Sequence, residues 1–400
     1  MKRIGRGAWL CASIAVLVGA AVHAAPLKIR SEQQAAATWS LASNFHIGIE
    51  GEVTGTPDGV LRKVLLSMRD LDEVSSPQSL MASRSGISVP CAFGGSFLAR
   101  MPQARPGILK IDWAACVQEA DEYSNSTLDG PVTLKLSTHS FAPERIDSLR
   151  VGSKTENVVW TTNYVDPESP QIHRGTFNFS MRGTIPTTRL FEQGYFTGDG
   201  DYRLHGSWSS LGEWLLDGSW SSSSSTVENA RIKRSVVYTE NNTILARSFH
   251  MVHGSVTTRI EYPAPWYARE YRFSASNFRA RELTDFNDFV TVTQQTWIDG
   301  KVDYEYAEGY SPGCMSGEYV LKTRVPMTNR SLFTKGERDE GEIVMNNAIV
   351  RLYSSATVPP NLPAPTGKML TVVDVKEIGL FSFDSDWTSP RAIVPLSQCY

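Results

Sequence analysis

Three tryptophans, Trp208, Trp214 and Trp220, form the clearest aromatic cluster of the chain. The phrase Gly-Ser-Trp-Ser-Ser surrounds Trp208 and occurs again around Trp220. If Leu211–Gly212 makes a turn, the even spacing of the rings places all three on one face of a hairpin. Exposed rings flanked by serines suit stacking on sugar rings or peptides, although burial in cross-strand pairs is the commoner arrangement. The sequence therefore predicts a ligand-binding face at these tryptophans, with burial in the core as the alternative.

Two further patterns bear on metal binding. His250 and His253 are three residues apart, a spacing that can share a metal on a helix but points to opposite faces on the strand expected here. Asp199 and Asp201 resemble an acidic calcium turn, without a third acidic ligand or the distal glutamate of a calcium loop. We therefore expect no metal site and no cofactor.

Catalytic patterns are weak. The chain has no His-Glu-x-x-His motif and no phosphate-binding loop. Asp303 and Glu305 share one strand face, whereas a glycosidase needs two carboxylates about 5–10 Å apart across a cleft. A non-catalytic protein is the favoured interpretation, and a secreted carbohydrate- or ester-active hydrolase without a recognisable motif is the alternative.

The first residues have the pattern of an export signal. Lys2, Arg3 and Arg6 precede an uncharged apolar run, Ala8–Val22, and small residues follow at Val22-His23-Ala24. We expect a signal peptide over residues 1–24, with an uncleaved membrane anchor as the alternative. The alanine-rich run is typical of bacteria, so the expected location is the periplasm, the cell surface or the medium.

Four cysteines follow this segment: Cys91, Cys116, Cys314 and Cys399. An even number in an oxidising compartment predicts two disulfides. Three pairings are possible, and Cys91–Cys116 with Cys314–Cys399 is favoured because each bridge then stays within one half of the chain. Zinc is the less favoured alternative, since the close Cys-x-x-Cys spacing is missing.

Charge argues against some partners. The chain has 39 basic and 42 acidic residues, and the expected signal holds three of the basic ones, so the remainder has 36 against 42 and a formal net charge of −6. General nucleic-acid binding needs a basic footprint, so no nucleic-acid partner is expected. After the signal, no segment reaches 18 consecutive apolar residues, so no transmembrane helix is expected.

The remaining pattern is mostly that of strands. Helical spacing is confined to Glu32–Asn44, where Ser31 and Gln34 suit a capping box, and to Val60–Leu71. Apolar and polar residues alternate elsewhere, for example in Thr176–Arg182 and Val302–Tyr306. We therefore predict a mainly β protein of two related antiparallel modules, as a sandwich or open sheet, with short N-terminal helices.

The turns are predicted from dipeptides and short polar phrases. Glu240–Thr243 has the sequence of a tight hairpin turn, and Asp129-Gly130, Asp217-Gly218 and Asp299-Gly300 are three further turn candidates.

An internal duplication is predicted from the cysteine phrases. Cys91 opens Cys-Ala-Phe-Gly-Gly-Ser-Phe and Cys314 opens Cys-Met-Ser-Gly-Glu-Tyr, each followed by alternating residues and a proline. Chance similarity between glycine-rich hairpins is the alternative. The serine run at 221–225 marks a boundary near residue 228, giving modules over 25–228 and 229–400, with a proline-rich linker at 358–365.

The pattern Cys-x-x-Gly-Gly … Cys … Leu-Asp-Gly, at Cys91, Gly94–Gly95, Cys116 and Leu128–Gly130, resembles uncharacterised cell-envelope proteins of Gram-negative bacteria. The resemblance covers about a quarter of the chain and implies an envelope location and β architecture, but no catalytic residues. The expected function is an exported envelope or surface protein that binds a glycan, lipid or protein through a sheet face or loops. An outer-membrane barrel is a further alternative, because the chain ends in an aromatic residue, Tyr400, although prolines interrupt the last segment.

Overall fold

The structure is a computed structural model. It describes residues 26–120, 124–138, 140–141, 143, 145–164, 170–187, 199–216, 219–238, 244–262, 268–286, 292–308, 311–312, 315–331, 337–354, 356–365 and 369–385. The expected signal peptide, Cys314 and Cys399 lie outside these residues, so the duplication and the second disulfide stay predictions.

Two helices precede the sheet: α1, Glu32–Val74, and α2, Pro77–Ala82. The expected capping interaction is present at the start of α1, where the Ser31 Oγ atom accepts a hydrogen bond from the Gln34 backbone N–H (3.2 Å). The Gln34 Oε1 atom in turn accepts from the backbone N–H of Arg30 (2.7 Å). The 43 residues of α1 span roughly 65 Å at 1.5 Å per residue.

The two short helices predicted from the sequence are therefore parts of one long helix. The segment that joins them contains Gly55, Pro57 and Gly59, which all disfavour a helix interior. It also carries Ile49 and Val53, both fully buried, at a spacing that continues to Val60 on the same helix face. Burial of this apolar stripe against the sheet outweighs the poor local propensity.

Eighteen strands follow the helices in the described part of the chain. They are β1 Ile87–Pro90, β2 Ser96–Arg100, β3 Ile108–Ala120, β4 Ser124–Leu136, β5 Arg145–Val151, β6 Val158–Tyr164, β7 Gln171–Pro186, β8 Gly200–Leu216, β9 Ser219–Tyr238, β10 Ile244–Glu261, β11 Arg269–Phe286, β12 Val292–Glu308, β13 Ser311–Pro312, β14 Gly317–Ser331, β15 Glu337–Met345, β16 Ala348–Ser354, β17 Met369–Val375 and β18 Gly379–Ser385.

The strands form one antiparallel sheet in which each long strand pairs with the next along the chain. The short strands β5 and β6 lie end to end, since both pair with β4 and both pair with β7. The two-residue β13 pairs only with the end of β12, which also pairs with β14. The predicted mainly β fold is confirmed.

One face of this sheet packs on α1, and we call it the inner face. It carries the apolar side chains of each strand, as in β7, where Phe177, Phe179 and Met181 are buried. The alternate side chains form a polar outer face. Helix α1 contacts β1 and β3 early in the meander, β9–β11 in its middle and β16–β18 at its end. The sheet therefore curls around a single helix.

Bulges in successive long strands produce this curl. Asn229, Gly254, Asn277 and Gly300 have positive φ angles of 51°, 146°, 55° and 126°, and they are 25, 23 and 23 residues apart. Register shifts occur beside them in β9–β12. A bulge bends its strand and increases its twist, so aligned bulges bend the whole sheet along one line.

Two of the predicted turns lie inside strands, at places where the sheet bends. Asp129-Gly130 lies inside β4 and Asp299-Gly300 inside β12, where each glycine has a positive φ beside a bulge in the neighbouring strand. The prediction of turns at these two sites was wrong, because a bulge needs the same backbone freedom as a turn. Asp217-Gly218 and Glu240–Thr243 lie outside the described residues, but the strands that flank each of them do pair.

The first predicted disulfide, Cys91–Cys116, is confirmed. It joins the β1–β2 turn to the middle of β3. The backbone N–H of Phe93 also donates to the Val117 carbonyl (2.9 Å), and that of Val117 donates to the Gly94 carbonyl (2.8 Å). The bridge therefore fixes a turn that is already bonded to the sheet.

Two predicted boundaries lie in the described sheet. Strand β9 runs through residue 228 and pairs with β8 and β10 on both sides of it, so hydrogen bonding continues from one predicted module into the other. The proline-rich segment connects β16 to β17 through turns, with the Leu362 N–H donating to the Pro359 carbonyl (3.0 Å). The two-module division itself stays a prediction.

Candidate functional site

A groove of about 310 Å³ lies between α1 and the inner face of β6–β8. Among the described residues, helix α1 contributes Gly55 and Gly59 to it, and the strands contribute mainly aromatic and small polar residues. The lining residues are Gly55, Gly59, Trp160, Thr162, Tyr164, His173, Arg174, Gly175, Phe177 and Ser210. We call this the Trp160 groove.

Aromatic rings in and beside the groove lie over glycines. A Cβ atom at Gly59 would stand 3.3 Å from the Trp160 ring, and one at Gly212 would stand 2.9 Å from the His173 ring. The Phe177 ring covers Gly175 so closely that a methyl group there would collide with it. These glycines let the rings approach the backbone closely, where the side chain of a larger residue would collide with them.

Ring contacts fix the walls of the groove. The Tyr164 and His173 rings meet edge to face with centroids 5.4 Å apart, and the Trp160 and Phe177 rings are tilted at 6.3 Å. Such pairs are worth about 0.5–1.5 kcal/mol beyond the area they bury. Tyr164 and His173 are exposed, so the groove opens to solvent at their end.

Trp160 carries the polar feature that best indicates a ligand. Its indole N–H is buried and has no hydrogen-bond partner among the residues that the structure describes. An unpaired buried donor costs about 1–3 kcal/mol, so native structures seldom leave one without a water or ligand acceptor. The N–H can therefore donate to an oxygen atom of a molecule that occupies the groove.

A charged cluster lies next to this ring. The Lys63 Nζ atom is 5.5 Å from the centre of the Trp160 ring and also pairs with the Glu119 carboxylate, which Arg62 contacts as well. Burial lowers the pKa of Lys63, while its hydrogen bond to Glu119 opposes that shift. The cation over the ring makes Trp160 more rigid and leaves Lys63 little freedom to serve as a base.

A second network fixes the helix to β3 one turn further on. The Ser67 Oγ atom accepts hydrogen bonds from the Trp113 Nε1 atom (2.8 Å) and from the Gln118 side-chain amide. All three side chains are buried. Together with the Lys63 cluster, this network determines the position of α1 over the groove.

The structure separates the three predicted tryptophans. Trp208 is buried on the inner face and meets Phe179 edge to face at 5.9 Å, and Trp214 is half-buried on the same face. Trp220 pairs with Leu215 and is 54 % exposed on the outer face. Leu211–Gly212 lies within β8 and is not a turn, so the three rings do not share one surface.

The two histidines that were considered as metal ligands lie on the outer face of the sheet. His250 lies opposite Lys233 and His253 opposite Arg231, so a bulge between the histidines puts both on the outer face, contrary to the expectation of opposite faces. The His250 Nε2 atom is 2.8 Å from the Asn277 Oδ1 atom. Among the described residues, no group of three or more His, Cys, Asp or Glu side chains is placed to hold a metal.

The acidic candidates lie on the outer face as well. Asp201 is exposed near the start of β8. Glu305 of β12 pairs with Arg272 (3.6 Å), and Asp303 stands opposite Ser274. None of these contacts forms a cleft between facing carboxylates.

The sequence contains one phrase of the kind that surrounds a nucleophilic serine. Gly309-Tyr-Ser311-Pro-Gly313 matches Gly-x-Ser-x-Gly, the phrase of a nucleophile elbow. An elbow needs a strand followed by a helix. Ser311–Pro312 instead forms β13, paired with β12 and followed by β14, so the local structure differs from an elbow.

Sequence reasoning also missed Trp160, His173 and Phe177. They stand in alternating strands that resemble many others, and only the position of α1 shows that Gly59 faces Trp160. The glycines of α1 are the one signal that could have pointed here, since glycine inside a helix often marks a close approach.

Comparison with protein-family models, curated proteins and solved structures found no match for this chain. Within the described part of the chain, neither helix is both long and apolar enough to cross a membrane.

Proposed function

We propose that the protein is an exported, non-catalytic binding protein of the bacterial envelope, and that the Trp160 groove holds a sugar ring of a glycan. The observation that carries this proposal is the Trp160 indole, whose buried N–H has no partner among the described residues, in a groove lined by glycines and aromatic rings. The Cys91–Cys116 bridge supports an oxidising compartment outside the cytoplasm.

The chemistry of the lining favours a sugar ring. Aromatic faces bind the C–H groups of a ring, and the indole N–H and the Thr162 and Ser210 hydroxyls suit its oxygen atoms. Ligand pockets have volumes of about 300–1,000 Å³, so a groove at the lower limit suits one or two rings.

The same lining disfavours an acyl chain. None of the ten described lining residues is Leu, Ile, Val or Met, the aliphatic residues that pack against hydrocarbon. A lipid bound through its chain would have to lie on glycine and aromatic edges alone.

Calorimetry of the purified protein with a panel of neutral mono- and disaccharides tests the proposal. The chain has 10 tryptophans, so heat is a cleaner signal than intrinsic fluorescence. Trp160→Ala should weaken binding by about tenfold or more, and Trp160→Phe, which keeps a ring but loses the N–H, by about fivefold.

The matched control is Trp220→Ala, which removes an exposed ring from the outer face and should leave the affinity unchanged. The proposal fails if no sugar binds or if a fatty acid binds instead. It also fails if Trp220→Ala weakens sugar binding as much as Trp160→Ala does.

A further inference from the structure

A row of basic side chains crosses the outer face of the sheet. Arg182 of β7 pairs with Arg203 of β8, Arg203 with Lys233 of β9, Lys233 with His250 of β10, and His250 with Arg279 of β11. At about 4.8 Å between strands, the five residues form a line roughly 19 Å long. We call it the basic row.

A second line strengthens the first. About 7 Å further along the strands, His205, Arg231 and His253 lie opposite one another on β8, β9 and β10. His205 and Arg231 are two residues from the row, and His253 is three residues from it because of the bulge in β10. Arg231 therefore adds a positive charge beside the basic row, and the two histidines add ring nitrogens that can hydrogen-bond to a ligand. The positions next to them on the neighbouring strands, Ser180 and Ser276, are serines.

The charges of the basic row are not neutralised within the described residues. Arg182, Arg203, Lys233 and Arg279 are exposed, and none of them has a carboxylate within 4.0 Å among the described residues. Like charges directly opposite one another on neighbouring strands are destabilising, so the arrangement costs stability in the free protein.

Elsewhere on the outer face, basic side chains form ion pairs with acidic ones. Arg272 pairs with Glu305 (3.6 Å), Lys301 with Glu318 (3.6 Å) and Arg324 with Glu342 (3.2 Å). Basic residues there have an acid on a neighbouring strand. The unpaired row therefore stands out in a chain whose formal net charge is −3.

From this row we propose that the outer face of β7–β11 binds a linear acidic polysaccharide lying across the strands. A polymer with a carboxylate on each sugar places its charges along a line, as the basic row does. Serine hydroxyls at Ser180, Ser235 and Ser248 flank the row and suit the hydroxyl groups of sugars.

The surroundings of the row disfavour two other polyanions. A flat anionic membrane would also touch the acidic Asp201 and Glu228, which are exposed beside the basic lines. Single-stranded nucleic acid is bound by basic residues interleaved with aromatic rings, whereas serines flank this row. This site is independent of the Trp160 groove, which lies on the inner face.

Polygalacturonate oligomers are the probe, with the methyl-esterified polymer as a control that keeps the backbone and removes the charge. The intact protein should bind only the acidic form, with affinity falling roughly tenfold between 50 mM and 200 mM salt. Arg203→Ser, Arg231→Ser and Lys233→Ser together should lower the affinity at least a hundredfold, and should raise the melting temperature by removing like-charge repulsion.

The control triple variant is Arg259→Ser, Arg272→Ser and Arg324→Ser, which removes the same charge from the outer face outside the row and should change the affinity less than twofold. Equal loss in both triple variants, equal binding of the esterified polymer, or binding of phosphatidylglycerol vesicles or single-stranded DNA in place of the polymer would overturn the proposal. Sugar binding by the Trp160 groove is measured on the same variants and should be unchanged, so the two proposals fail separately.

Discussion

The side chains of Asp58 and Arg234 form an ion pair between the helix and the sheet, with the Arg234 Nη1 atom 2.6 Å from the Asp58 Oδ2 atom. Asp58 follows Pro57 in α1, and Arg234 lies on the inner face of β9. The Tyr202 hydroxyl accepts a hydrogen bond from the Arg234 Nη1 atom (2.8 Å) and donates one to the Asp58 Oδ1 atom (3.4 Å). Burial, with the nearby Asp58 charge, raises the pKa of Tyr202 well above its ordinary value, so the hydroxyl stays neutral.

Asp58→Asn should therefore destabilise the protein by about 2 kcal/mol, because it leaves the Arg234 charge partly buried without its partner. The effect is below that of a fully buried pair, since the two side chains keep 17 % and 32 % of their exposure. Urea unfolding followed by circular dichroism measures the difference.

The matched control for this pair is Asp147→Asn, whose partner Lys135 is 59 % exposed, and it should cost less than about 0.5 kcal/mol. Equal losses in the two variants would show that the Asp58 contact contributes no more than an exposed pair.

Local sequence patterns were enough to predict the strands, but not the long helix. Apolar and polar residues alternate in Thr176–Arg182 and Val302–Tyr306, and this alternation indicates which side chains face the core. Both segments are strands. The helix interior around Pro57 is stabilised by what it packs against, and single-sequence reasoning has no access to that surface. Asp299-Gly300 was misassigned for a related reason, since a turn and a bulge use the same backbone angles.

The candidate site was harder to predict than the fold. Strand alternation shows that Trp208 and Trp214 share a face and that Trp220 lies on the other, once the hairpin turn is placed correctly. It does not show which element covers that face. Trp160 becomes a candidate only because Gly59 of α1 lies over its ring, and the basic row appears only when five strands are set in register.

The backbone conformation of Asn229, at a bulge in β9, predicts how substitutions there change the stability of the protein. Its φ of 51° lies in the left-handed region, which costs ordinary residues about 1–2 kcal/mol and β-branched residues more. Asn229→Gly should change the stability by less than about 0.5 kcal/mol, because glycine adopts this conformation freely. Asn229→Val should cost about 2 kcal/mol or more, measured by urea unfolding.

A valine at another position of the same strand is the control, because it shows whether the loss comes from the backbone angle at Asn229 or from valine itself. Thr226→Val keeps a β-branched residue on the outer face of β9, at an ordinary strand position, and should be nearly neutral. If Asn229→Gly proves as harmful as Asn229→Val, the Asn229 side chain and not its backbone angle determines the effect.

His250 makes the stability of the sheet depend on pH. Burial lowers its pKa from the ordinary 6.5, and Arg279 on β11 and Lys233 on β9 act in the same direction, while the hydrogen bond to Asn277 opposes them. The unfolded chain therefore takes up a proton at a higher pH than the folded protein does. The contribution of His250 is complete above pH 6.5 and is lost as the pH falls from there toward the folded pKa, by at most about 1.4 kcal/mol per pH unit.

Urea unfolding at pH 7.5, 6.5 and 5.5 measures this loss, and His250→Gln should flatten the slope. His253→Gln, which removes an exposed histidine from the same strand without touching Asn277, is the matched control and should leave the slope in place. Saturating polygalacturonate adds a second readout, since an anion over the basic row favours the charged imidazole and should reduce the loss of stability on acidification. A slope that is the same in the intact protein and in His250→Gln would show that the acid sensitivity comes from another group.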